Sequence, residues 1–142
     1  EPAYESRLLV QGQMSKAEIL QEHRRRIDRG DSSIIFGLAS FAEGVDLPGD
    51  SCSHVIIAKL PFAAPDDPID AAHAELLEAA GRNPFMELTV PLASLRLLQA
   101  CGRLLRTETD EGVITLLDRR IITKRYGRAI MDALPRYQFE VH

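Results

Sequence analysis

Four short apolar runs, with helix-like stretches between the first and second and between the third and fourth, constrain this chain most. They are Arg7-Leu-Leu-Val-Gln11, Ser33-Ile-Ile-Phe-Gly-Leu38, His54-Val-Ile-Ile-Ala-Lys-Leu60 and Gly112-Val-Ile-Thr-Leu-Leu117. The second and third show little polar alternation, the pattern of strands buried on both faces. Strands alternating with helices pack as an α/β fold with a mostly parallel sheet and right-handed crossovers. Ser15 followed three residues later by Glu18 predicts a capping box, and Gly30 a stop, for a helix between the first two runs. Ile69 to Ala80 reads as a helix stopped by Gly81, with Asp66 and Asp67 placed to cap its start. Asn83-Pro-Phe-Met86 reads as an irregular link, Leu92 to Leu105 as a helix with Pro91 in its first turn, and Thr123 to Leu134 as the last helix.

The 142 residues suffice for one domain with a real core. No apolar run reaches the ~18 residues of a membrane span, and no signal peptide opens the chain. A net charge of −4 argues against a self-sufficient nucleic-acid module. The basic clusters Arg24-Arg25-Arg26 and Arg119 to Arg128 read first as solvated helix faces and second as phosphate contacts. Cys52 and Cys101 form no metal-ligand spacing with the four histidines, so no metal site is expected and both read as free thiols.

Two segments carry candidate chemistry. In Gln99-Ala-Cys-Gly-Arg103-Leu-Leu-Arg106, a spacing of three sets two guanidiniums on one side of a helix. Such a pair is ordinarily a solvated face. It is also the arrangement that stabilises charge on a transferred phosphoryl group. In Ser40-Phe-Ala-Glu43-Gly44-Val-Asp46-Leu-Pro-Gly49, two carboxylates and two glycines follow a strand. Ligands in parallel sheets sit at the carboxyl ends of strands.

Together these segments resemble motifs V and VI of the DNA helicases of the DinG and XPD group, closest to its bacterial YoaA branch. Phe36 to Gly49, Lys59-Leu-Pro-Phe62, Asn83-Pro-Phe-Met86, Gln99 to Arg106 and Leu117-Asp-Arg-Arg120 carry the resemblance. It implies a RecA-like three-layer sandwich over residues 1–135, truncated at its N-terminal edge, with a tail over 136–142. The resemblance further implies the second motor domain of an ATP-dependent 5′-to-3′ helicase acting in DNA repair or replication in the bacterial cytoplasm. Arg103 and Arg106 resemble arginines that reach the γ-phosphate. Glu43, Gly44, Asp46, Gln99 and Gly102 resemble nucleotide-binding positions, and Ser40 resembles a contact to single-stranded DNA. The resemblance also implies ATP with Mg²⁺, a first RecA-like domain, and a 4Fe-4S cluster held outside this chain. An alternative is a docking module for the chi subunit of the DNA polymerase III clamp loader, through Arg125, Tyr126, Arg128, Tyr137 and Phe139, with no activity as an isolated fragment. Phe62 and Phe85 read as loop anchors in preference to base-stacking platforms.

Overall fold

The computed structural model describes residues 2–38, 41, 44–47, 49–63, 67–102, 104 and 111–142. The elements are α1 (Pro2–Glu5), β1 (Leu8–Val10), α2 (Lys16–Asp28), β2 (Ile34–Phe36), β3 (His54–Ile57), α3 (Pro68–Ala79), α4 (Val90–Cys101), β4 (Val113–Leu116), α5 (Arg120–Thr123) and α6 (Arg125–Asp132). A 3-10 turn over Gly49–Ser51 precedes β3, and a π-helical turn over Phe85–Thr89 runs into α4. This is the α/β alternation expected of a RecA-like domain. The chain divides into two units, residues 1–54 with 103–113 and residues 55–102 with 114–142.

In the first unit β1 and β2 are parallel, with Leu8, Leu9 and Val10 opposite Ile34, Ile35 and Phe36. The α2 helix starts as expected. Ser15 accepts from the Glu18 N–H at 3.3 Å, and Glu18 accepts in return from the Ser15 N–H at 2.9 Å. The Ser15 hydroxyl also donates to the Glu18 carboxylate at 2.6 Å, and this bond, followed by the one from the Ser15 N–H, lowers the Glu18 pKa. At the other end Gly30 takes φ 76°, which a side chain would strain. It lets the Gly30 and Asp31 N–H groups reach the Ile27 and Arg26 carbonyls, a Schellman ending. Leu9, Ile19, Phe41 and Val45 form this unit's core.

The second unit is built on α4. Val90, Ala93, Ser94, Leu97 and Cys101 recur at helical spacing and are buried. Leu60 and Ile130 complete the cluster, and Leu116, Ile121 and Tyr137 pack around it. β3 pairs with β4. The Val113 N–H bonds the Ser53 carbonyl and the Leu117 N–H bonds the Ile57 carbonyl, an equal offset that makes the pair parallel. Asp67 caps α3 by accepting from the Ile69 N–H at 2.8 Å, with Pro68 at the first helical position.

Several expectations are corrected. Neither β2 nor β3 is covered on both faces. Ile34 and Phe36 are 40% and 68% exposed, and Ile56 is 60% exposed. The link at Asn83 is helical, because the Glu87 N–H bonds the Asn83 carbonyl at 3.0 Å and the turn continues into α4. The final helix starts at Arg125, two residues later than expected, and a separate one-turn helix, α5, precedes it. Lys124 is extended at φ −109° and ψ 145°, which ends α5 and starts α6 in a new direction.

That break explains Gly127. A Cβ there would overlap the Ile121 carbonyl and lie 2.9 Å from that of Arg120. No flexible side chain can yield, since both obstacles are backbone. Gly127→Ala is expected to lower stability by about 1–3 kcal/mol. A thermal melt of the chain checks this, and an unchanged midpoint refutes the close approach of α5 and α6.

Candidate functional site

The loop after β2 is held by side chains that bond backbone. The Gln11 N–H bonds the Phe36 carbonyl at 2.9 Å, and Gln11 Oε1 accepts from the Leu38 N–H at 2.8 Å. Arg24 donates to the Asp46 carbonyl at 2.9 Å. Phe41 and Val45 are buried at 6% and 7% exposure, so the loop is stapled into the core at both positions. Between them Gly44 adopts φ 68°, a left-handed conformation that favours glycine. Gly44 and Asp46 are exposed.

His23 is the residue that the sequence analysis missed. It is 5% exposed. Its ring joins the Ser33 hydroxyl at 2.9 Å through Nδ1 and the Ser51 carbonyl at 2.8 Å through Nε2. A carbonyl only accepts, so Nε2 carries a proton and donates to Ser51. The imidazole thereby ties α2 to the entry of β2 and to the turn that follows the loop. The available signal was its position four residues after Ile19, on the apolar side of α2.

In the second unit Gln99 and Gly102 are exposed on the last turn of α4. Gln99 lies two residues beyond buried Leu97, hence away from the core. Gly102 sits at φ −65°, where the backbone requires no glycine. Its absent Cβ would lie 3.3 Å from the Leu98 carbonyl. Ser40, Glu43, Arg103 and Arg106 lie outside the described residues. The structure therefore joins Gly44 to Asp46 in one loop and Gln99 to Gly102 on one helix end.

The Asp118-Arg-Arg motif builds a buried charge site. Asp118 Oδ2 accepts from the Leu60 N–H at 2.9 Å. Arg120 reaches both carboxylate oxygens, through Nε at 2.9 and 3.0 Å and through a terminal nitrogen at 2.6 Å. The Arg120 N–H adds a bond at 3.1 Å. The guanidinium fork, followed by these backbone donors, holds the Asp118 carboxyl well below the usual carboxylate range and outweighs its desolvation. Arg120 also lies 5.4 Å over the Phe62 ring. Phe62, Phe85 and Tyr126 form a triangle of rings with centroids 5.2 to 5.8 Å apart. Phe62 and Phe85 are therefore anchors, as expected.

The docking surface is partly spent in packing. Tyr126 belongs to the ring triangle and packs on the core. Tyr137 packs on the same core, where burial pushes its phenol up. Arg125 and Arg128 are exposed, Arg128 lies 3.7 Å from Asp132, and Phe139 is 53% exposed beside Tyr137. Burial likewise pushes the Cys101 thiol up, and neither cysteine forms a disulfide. Among the described residues no three His, Cys, Asp or Glu side chains gather as metal ligands, and no helix is long and apolar enough to cross a membrane.

Comparison with known proteins decides what these parts belong to. The helicase C-terminal domain profile matches residues 2–137. The chain belongs to the helicase C-terminal domain family. The domain is 50% identical over 131 residues to the ATP-dependent DNA helicase DinG of Photobacterium profundum, covering 92% of this chain. It is 41% identical over 133 residues to the ATP-dependent DNA helicase DinG of Escherichia coli, covering 94% of this chain. The domain spans 19% of the length of either relative.

Asp118→Ala is expected to destabilise the domain by about 1–3 kcal/mol, because the Leu60 N–H loses its acceptor. The ordinary Asp value lies above the folded one. The stabilisation from ionised Asp118 is thus complete above about pH 5 and fades as pH falls toward 2. Thermal melts should show the gap between native and variant chains narrowing as pH drops from 7 to 2. A gap that stays constant contradicts the ion pair.

Proposed function

We propose that this domain is the second RecA-like motor domain of an ATP-dependent 5′-to-3′ DNA helicase, working in DNA repair or replication in the bacterial cytoplasm. The observation that carries the proposal is the family match over residues 2–137, which spans both the Glu43–Asp46 loop and the Gln99–Arg106 run. Relatives at 50% and 41% identity are named ATP-dependent DNA helicases. Arg103 and Arg106 would approach the γ-phosphate of ATP, whose Mg²⁺ and phosphate loop belong to a first RecA-like domain. Arg is suited to this role because its planar fork stays charged and matches phosphate oxygens.

The geometry supports these roles in two places. Gly102 keeps a side chain off the end of α4 although its φ would accept one. In the loop, Phe41 and Val45 are buried while Gly44 and Asp46 stay exposed, where a ligand could reach them. Ser40 and the exposed Gly44 and Asp46 would face the single strand and the nucleotide. A 4Fe-4S cluster needs four cysteine thiolates. Cys52 and Cys101 do not fit it, since Cys101 is spent in the α4 core, so any cluster is held outside this chain. The alternative of docking to the clamp-loader chi subunit gains no support, because Tyr126 and Tyr137 pack inward.

In the full-length enzyme, Arg106→Ala should cut ATP hydrolysis by about 10³-fold or more, as for other arginine fingers, while single-strand binding changes little. Steady-state hydrolysis and oligonucleotide titration measure the two separately. Unimpaired hydrolysis removes Arg106 from the cleft.

A further inference from the structure

The first unit has a second polar feature, at the end of its strand pair away from the candidate loop. Arg7 precedes β1, Ser32 precedes β2, and Arg26 and Arg29 stand at the end of α2. The loop with Gly44 and Asp46 leaves the other end of β2. Arg7, Arg26, Arg29, Ser6, Asp31 and Ser32 border an open pocket of about 450 Å³.

The three guanidiniums come from different turns of the structure and are fixed differently. Arg26 is half-buried. Its Nε bonds Glu22 at 2.8 Å, and a terminal nitrogen bonds the Ser6 carbonyl at 3.0 Å. That second bond ties the end of α2 to the entry of β1 and sets the pocket floor. Arg29 donates Nε to the Arg25 carbonyl at 3.2 Å, and its guanidinium is more than half exposed. Arg7 is exposed and lies over the Tyr4 ring at 5.7 Å. Opposing charge is light. Asp31 is the carboxylate at the rim, 3.9 Å from Arg29 and 61% exposed, and Glu22 is engaged by Arg25 and Arg26. The Arg26 and Ile27 carbonyls, which would repel an anion, already accept from Asp31 and Gly30.

We propose that this pocket is an anion site for a phosphate group, at the end of the β1–β2 pair opposite the loop that carries Gly44 and Asp46. Three arginines and two serines border this open polar cavity, and guanidinium forks and hydroxyls are donor types that match the oxygens of a tetrahedral phosphate. The phosphate comes either from the backbone of a nucleic-acid strand or from a free phosphate in solution. The proposal rests on the pocket alone and survives if Arg103 and Arg106 prove to have no role in hydrolysis.

The test titrates the 142-residue chain with inorganic phosphate and, separately, with a single-stranded oligonucleotide, following backbone amide resonances of Gly30, Asp31 and Ser32. Saturable shifts at these amides with phosphate are expected. Arg7→Gln with Arg29→Gln should weaken binding about tenfold or more, through loss of two charge-assisted contacts. Both side chains are exposed, so folding should persist, and Asp31→Asn should tighten binding. Shifts at the same amides with the oligonucleotide identify a strand backbone as the source. Their absence with the oligonucleotide, alongside binding of phosphate, identifies free phosphate. Equal affinity in the double variant, or no saturable shift with either probe, overturns the site.

Discussion

The Asp118 carboxylate organises the second unit. It sits just past β4, takes the backbone N–H of Leu60, and is gripped by the Arg120 fork at the start of α5. A buried carboxylate with so many donors is a fixed reference point, since leaving any donor unmade exposes a desolvated group. Arg120, held in that way, stacks over Phe62, and Phe62 meets Phe85 and Tyr126. One ion pair therefore aligns the segment after β3, the π-helical turn and the first residue pair of α6. These surround α4, the helix whose end carries Gln99 and Gly102.

The first unit uses a different device. Its loop is positioned by side chains that bond backbone: Gln11 at the loop's entry, Arg24 at Asp46, and His23 on the turn beyond. Side-chain bonds to backbone fix a path without demanding particular side chains along it. The core is filled by Phe41 and Val45 and does not call on the exposed positions Gly44 and Asp46, which suits residues proposed to meet a ligand. Helix α2 supplies two of the three anchors, and its final turn supplies the phosphate pocket, so one short helix serves both ends of the strand pair.

Much of this was legible in the sequence. The capping box at Ser15, the Asp67 cap, and the stops at Gly30 and Gly81 depend on bonds between near neighbours, so spacing alone reveals them. The candidate segments were equally legible, because the chemistry of phosphoryl transfer asks for guanidiniums and carboxylates of fixed type. The roles of Asp118 and His23 were not. Leu60 is 58 residues from Asp118 and Ser51 is 28 from His23, and no local pattern marks partners at such distances. Helix α5 was missed for a related reason: Arg120–Thr123 is too short to show a helical period, and Gly127 meets it through the Ile121 backbone, a contact between elements.

The sequence by itself determined the order of strands and helices, their caps and the residue types available for phosphate chemistry, since each follows from chain-local geometry and side-chain functional groups. Tertiary structure alone decided which strand faces are covered. Ile34, Phe36 and Ile56 are as apolar as the buried Ile19 and Leu97, yet they stand exposed. Hydropathy records a residue's preference for burial, whereas burial requires another element to arrive, and that depends on contacts distant along the chain.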